Sequence, residues 1–203
     1  MLPTMKILLT GATGTLGRAV HTVLTERGHE VVTAARKNAD IAVDITDPES
    51  IRAMYEKVGR FDALANAAGW VPWKPFAELS HEDVLAGLAG KAASQVELVR
   101  QGVAYGTEDA SFTLITGVTT RDPILTGSVA TLANGAVEAF ARAAAIEMPH
   151  RQRVNVVSPT VFTESMEAYG DLFAGFEPVP VALAALAYVR SIEGRQTGQV
   201  YVV

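Results

Sequence analysis

A doubly wound α/β domain built on one parallel sheet is predicted by three features of this 203-residue sequence. Short β-branched and aliphatic runs alternate with longer helical patterns from end to end, which reads as repeated βαβ units. The first run, Ile7-Leu8-Leu9, passes directly into the glycine-spaced turn Thr10-Gly11-Ala12-Thr13-Gly14-Thr15-Leu16-Gly17. Hydrophobic residues make up 49% of the chain, enough for one well-buried core, and the length is short for two. The expectation is a single domain over 1–203, with about seven strands and helices on both faces.

The elements follow in chain order. Strand 5–10 precedes the glycine turn, and helix 15–27 carries Leu16, Val20, Val23 and Leu24 at helical spacing before stopping at Arg27-Gly28. Strands 30–35 and 41–44 come next. Asp47 before Pro48 and Glu49 starts helix 48–58, because the Asp oxygen can cap free N–H groups and Pro fits the first turn. Strand 61–65 follows, and Ser80 with Asp83 three residues later forms a capping box for helix 81–104. The remaining pattern gives strand 111–116, helix 126–147, strand 152–157, helix 179–191 and strand 199–203. There is no linker and no repeat. With right-handed crossovers, ligands collect at the carboxyl ends of such strands near the point where strand order reverses. The loops to inspect are therefore 10–17, 36–38, 44–46, 66–72, 116–126 and 158–178.

The glycine turn is suited to a dinucleotide phosphate. Gly11 can take backbone angles closed to other residues, Gly14 lets the main chain approach a pyrophosphate, and Gly17 lets the new helix sit close to the sheet. The helix N-terminus adds unpaired N–H groups and a partial positive charge. After the second strand, where an acidic residue would hold the 2′-hydroxyl of NAD, the chain reads Ala34-Ala35-Arg36-Lys37, and two cations there suit a 2′-phosphate. NADP is thus expected over NAD, with Arg18 as a further cation. Asp44 after the third strand is placed to accept from an adenine amino group or to organise its own turn.

Composition excludes several other classes. A net charge of −5 with scattered Arg and Lys argues against a nucleic-acid partner. No apolar run approaches a membrane span and no cleavable leader is visible, so a cytoplasmic location is expected. The chain has no Cys, which removes disulfides, thiolate zinc sites and cysteine nucleophiles together. His21, His29, His81 and His150 are isolated, so surface or capping roles are expected of them rather than metal binding.

Thr10 to Gly17, Asp44-Ile45-Thr46-Asp47, Asn66-Ala67-Ala68-Gly69, Ser158-Pro159-Thr160-Val161-Phe162-Thr163 and Gln196-Thr197-Gly198-Gln199 together resemble, in order and spacing, the landmarks of the short-chain dehydrogenase/reductase family. The resemblance covers nearly the whole chain, is nearest to a compact branch of about this length, and implies the Rossmann arrangement. It implies a cofactor site at Gly11, Thr13, Gly14, Thr15, Leu16, Gly17, Arg36, Asp44, Ile45, Thr116 and the segment Asn66 to Gly69, which supports the central sheet beside the nucleotide. Pro159, Thr160, Val161 and Thr163 would touch the nicotinamide. Two mild departures are Ala67, where a second Asn is usual, and Thr160, where glycine commonly follows the proline.

The catalytic landmarks depart further. The family donates its proton from a Tyr whose pKa is lowered by a Lys one helical turn later. Aligned on Gly135-Ala136-Val137-Glu138-Ala139-Phe140, those positions hold Ala130 and Asn134, the Ser position holds Gly117, and an Asn of the long fourth helix maps onto Lys91. Asn and Lys are therefore exchanged between two positions that face one pocket in that family. Lys91, Asn134, Thr116 and Thr131 become the candidate catalytic set, with Asn134 orienting the ammonium and a threonine offering its hydroxyl. Tyr169 falls in the family's lid region, and Trp70 and Trp73 are candidates for the opposite wall.

Three readings of function follow. The first is an NADP(H)-linked oxidoreductase with a rearranged active site, acting on a small apolar carbonyl or an activated alkene. The second is a non-redox cyclase, dehydratase or isomerase on the same scaffold, and the third a catalytically inactive NADPH-binding module. A homodimer or homotetramer is a further implication of the resemblance, through helices 81–104 and 126–147.

Overall fold

The computed structural model describes residues 3–203. Seven parallel strands form one sheet in the order β3-β2-β1-β4-β5-β6-β7, with β1 at Lys6–Thr10, β2 at Glu30–Ala35, β3 at Ile41–Ala42, β4 at Phe61–Asn66, β5 at Gly106–Ile115, β6 at Arg153–Ser158 and β7 at Val200–Val202. The connecting helices are α1 (Thr15–Glu26), α2 (Pro48–Val58), α3 (His81–Gly87), α4 (Ser94–Gly102), α5 (Ser128–Ala144), the short α6 (Met166–Tyr169) and α7 (Val181–Glu193). Strand order reverses between β1 and β4, where crossovers leave in opposite directions and open a crevice above the sheet.

Each face of the sheet buries its own core. Leu8, Leu64, Phe112, Leu114, Val154 and Val156 point to one side and pack with Tyr55, Leu98, Ala133 and Val137. Ile7, Leu9, Ala63, Ala65 and Val157 point to the other and pack with Val20, Leu24, Ala184 and Tyr188. This alternation within near-continuous apolar strands is what helices on both faces require.

The starts predicted for two helices are as seen. Asp47 accepts from the Glu49 N–H, and Ser80 and Asp83 exchange bonds as a capping box. The predicted helix 81–104 is interrupted, because residues Leu88–Ala93 widen into a π-helical turn between α3 and α4. Such turns are rare and cluster at functional sites. Gly87, just before it, lets α3 pack closely on α5: a Cβ there would lie 2.1 Å from Val129 Cγ1. β5 starts five residues before the predicted 111, because Gly106 pairs with Phe61 ahead of a register shift in β4.

The expectation for His29 needs correction. Its ring is buried, with Nε2 3.0 Å from Glu193 Oε1 and Nδ1 accepting from the Met5 N–H. Glu193 also receives Arg27, which joins the end of α1 to the end of α7, while His29 ties the Met5 N–H to the same carboxylate. Among the described residues, no helix is long and apolar enough to cross a membrane.

Candidate functional site

The turn after β1 has the geometry its glycines foretell. Gly11 sits at φ +76, and a Cβ on it would lie 2.8 Å from Ala67 and Ala68. At Gly17 a Cβ would lie 2.1 Å from the Gly11 carbonyl, so only glycine allows α1 to start there. Gly14 occupies the N-cap of α1 and contributes no side-chain cap, so the first N–H groups of the helix remain available to an anion. Gly14's own Cβ direction is open but for the Gly11 carbonyl at 3.6 Å. These residues fit a pyrophosphate. Arg18, by contrast, donates from Nε to the Thr13 carbonyl and fastens the turn.

Asn66 anchors the floor from the end of β4. Its Oδ1 accepts from Thr10 Oγ1 at 2.7 Å and from the Ala68 N–H, its Nδ2 donates to Ala68 O and Gln95 Oε1, and its carbonyl accepts from Tyr188 at 2.6 Å. Ala67 donates its N–H to the Thr10 carbonyl, tying the segment to the glycine turn. Further out, Arg36 and Asp44 are both exposed. Asp44 Oδ1 accepts the backbone N–H and the hydroxyl of Thr46, and these bonds, with the charge of Arg36, hold its carboxyl below the usual range.

A cavity of about 390 Å³ opens at the carboxyl ends of β5 and β6. Trp70, Val71 and Trp73 form one wall, Val161, Phe162, Tyr169 and Phe173 another, and Lys91, Thr116, Gly117, Ala130 and Asn134 the floor. Thr15 from the glycine turn reaches the same cavity, so the two halves of the site are continuous. Trp70 is fixed by its N–H bond to the Gly90 carbonyl, and Phe173 packs edge-on against Phe176 with centroids 5.4 Å apart.

Lys91 projects from the π-helical turn against Gly69. A Cβ on Gly69 would lie 2.6 Å from Lys91 Cδ and 3.3 Å from Nζ, so Gly69, at φ +158, supplies the slot for the side chain. No acidic group among the described residues forms an ion pair with it. Burial without a counter-charge therefore lowers its pKa to about 8. The residue as a whole retains some exposed surface at the cavity wall, while its charged end is the desolvated part.

On α5, Ala130, Asn134 and Glu138 recur every four residues and share one face. Neither Tyr nor Lys occurs anywhere in α5. Asn134 is 7% exposed, and its Nδ2 donates to Thr119 Oγ1 at 3.2 Å rather than to any atom of Lys91. Its Oδ1 is buried and has no partner. Thr116 and Asn134 thus share the cavity with Lys91, whereas the Thr131 hydroxyl is turned to the Thr119 carbonyl at 3.0 Å. Pro159, Thr160 and Val161 line the cavity, while Thr163 pairs its N–H with the Val179 carbonyl at the lid base.

Two buried groups behind the floor escape a reading of the sequence. Glu138 Oε1 accepts the hydroxyls of Thr116 at 3.0 Å, Thr120 at 3.0 Å and Ser158 at 3.3 Å, and Arg121 donates to Ser158 Oγ at 2.8 Å. Gln95 bonds both the N–H and the carbonyl of Ile115. The available signal was spacing: Glu138 lies four residues after Asn134, and Gln95 four after Lys91.

Fold and cavity together define a doubly wound α/β protein with a glycine turn after β1 and a cleft above the carboxyl ends of β4, β5 and β6. The chain belongs to the short-chain dehydrogenase/reductase family, matching over residues 11–195 the family model described as enoyl-(acyl carrier protein) reductase. It is 28% identical over 178 residues to L-xylulose reductase from Mesocricetus auratus, covering 79% of this chain and 73% of that protein. D-erythrulose reductase from Gallus gallus is 27% identical over 180 residues, with 79% and 72% covered. Among solved structures, the protein lin1944 from Listeria innocua is 47% identical with a TM-score of 0.96, covering 98% of this chain and 100% of that one. A small-chain dehydrogenase in complex with NADPH matches in fold with a TM-score of 0.87 at 24% identity, covering 99% and 97%.

Proposed function

We propose that this chain is an NADP(H)-linked oxidoreductase with a rearranged active site, reducing a small carbonyl or an activated alkene. Gly11 to Gly17 would hold the pyrophosphate, Arg36 the 2′-phosphate, and Pro159, Thr160 and Val161 the nicotinamide side. When bound, the dinucleotide supplies or accepts hydride. The NADPH complex of a protein with the same fold supports this choice of coenzyme.

The observation that carries the reading is Lys91. An ammonium with a pKa of about 8 sits at the cavity wall without a counter-ion, poised to donate a hydrogen bond and then a proton to an oxygen on which negative charge develops. No Tyr of α5 competes for that task. The indoles of Trp70 and Trp73, with Tyr169 and Phe173, give the cavity apolar walls.

NADPH fluorescence on mixing with the protein tests binding, and loss of NADPH absorbance with aldehydes, quinones and enones tests turnover. Lys91→Met should lower turnover by about 10²-fold or more, with NADPH affinity within several-fold of the parent. Unchanged turnover would remove Lys91 from the mechanism. Binding without turnover across the whole panel would turn the reading to an inactive NADPH-binding module.

A further inference from the structure

Lys91 has the surroundings of a nucleophile as well as those of an acid. Its Nζ has no hydrogen-bond partner among the described residues, yet it is not one of their fully enclosed, unpaired polar atoms, which are Ser111 Oγ, Thr126 Oγ1, Asn134 Oδ1 and Gln152 Oε1. The nitrogen therefore keeps open surface, and since the side chain lines the cavity, that surface faces the cavity. The stem lies against Gly69, where a Cβ would come within 2.6 Å of Cδ and 3.3 Å of Nζ. An amine held in such a slot has little rotamer freedom left to lose on forming a bond.

The rest of the lining sets no charge against it. Tyr169 is the one other titratable group on the cavity wall, and Glu138, behind the floor, commits Oε1 to three hydroxyls. With a pKa of about 8, roughly a tenth of Lys91 is neutral at pH 7, against less than ~0.1% for a lysine in water. The other four lysines of the chain lie elsewhere. Lys6 donates from Nζ to the Val58 carbonyl, Lys74 pairs with Asp83, and Lys37 and Lys57 are exposed.

We infer that Lys91 is a carbonyl nucleophile, and that the cavity captures an apolar aldehyde as an imine on Nζ. The amine lone pair forms the C–N bond as the carbonyl π bond breaks, and one amine proton moves to the oxygen to give a carbinolamine. The second amine proton leaves with that hydroxyl as water, and the C=N bond closes. Nothing is oxidised or reduced. An aldehyde is the class because its hydrogen, in place of a second carbon, lets the carbonyl carbon approach an amine confined by Gly69 on one side. Trp70, Trp73 and Phe173 give its body an apolar seat. The inference shares Lys91 with the oxidoreductase reading but needs no coenzyme.

Benzaldehyde with sodium cyanoborohydride tests it, because this reagent reduces an imine to a stable secondary amine. The protein is treated without NADPH, once with saturating NADP+ and once without, and the adducts are located by peptide mass spectrometry. In at least one of the two conditions a benzyl group should appear on Lys91 at pH 7 at least about tenfold faster than on Lys6, Lys37, Lys57 or Lys74. That lead should shrink by pH 9, where Lys91 is already mostly neutral and has little more to gain. Lys91→Met should lose this adduct and keep the slower ones. Labelling spread evenly over the lysines, or no adduct on Lys91 in either condition, would overturn the inference on the parent protein alone, whether or not Lys91→Met folds. Oxidation of NADPH by benzaldehyde without a Lys91 adduct would also overturn it, and would leave the oxidoreductase reading standing. A Lys91 adduct with no NADPH oxidation across the carbonyl panel would do the reverse.

Discussion

Lys91 is the side chain on which the proposed chemistry and a predicted stability effect both turn. Its folded pKa of about 8 lies below the ordinary value of 10.5, so the folded protein binds fewer protons than the unfolded chain between those limits. The burial penalty is therefore fully present below about pH 8 and relieved as pH rises toward 10.5. Lys91→Met should raise the melting temperature at pH 7, and the difference from the parent should shrink to nothing by about pH 10.5; ~2–4 °C accompanies each kcal/mol in a chain of this size. Scanning calorimetry across that range checks the sign. Reduction should behave oppositely, its rate falling as pH passes upward through about 8, because the protonated ammonium is the donor. A gain in stability with a loss of turnover is the pattern expected of a residue held in a costly place for function. That Lys91 and Asn134 share one cavity was legible from an alignment on the residues that follow Asn134. The ammonium's desolvation was not, since it depends on Gly69, 22 positions away, leaving a slot for the side chain.

At the scale of elements, the buried amides of Gln95 and Asn66 brace the strands behind the cavity. Gln95 on α4 ties Asn66 of β4 to both backbone groups of Ile115 in β5, joining three elements whose ends form the floor. Gln95→Leu would strand an N–H, a carbonyl and an amide in the core. The expected cost is about 3 kcal/mol or more, measured by urea denaturation, with weaker dinucleotide binding because Asn66 also braces Thr10. Gly17→Ala acts at the same scale: a Cβ 2.1 Å from the Gly11 carbonyl forces α1 off its N-terminus. NADPH affinity should fall by at least about tenfold while far-UV circular dichroism keeps its helical signal, and unchanged affinity would separate the turn from phosphate binding. The glycine turn was readable because strand, turn and helix are contiguous. The break in 81–104 was not, since the apolar spacing of that stretch runs on through the π-helical turn at Leu88–Ala93.

For the whole molecule, ligand binding and folding are linked. NADPH at a hundred times its dissociation constant should stabilise the protein by about 2.7 kcal/mol, a rise of roughly 5–10 °C in melting temperature. NADH at the same concentration should give a smaller rise, and Arg36→Asp should bring the two together; equal rises in the parent would reject Arg36 as the phosphate anchor. Length, patterning and local turn chemistry determined the succession of strands and helices along the chain and the place of the glycine turn, because those signals are periodic or confined to a few neighbouring residues. The hydrogen-bond character of the cavity was decided by tertiary structure alone. Thr116 and Thr120 of the loop after β5, Ser158 of β6 and Glu138 of α5 come from three separate segments, and only the folded chain brings the three hydroxyls onto one carboxylate oxygen. Direction of a hydroxyl is a property of what surrounds it, and no spacing along the chain encodes those surroundings.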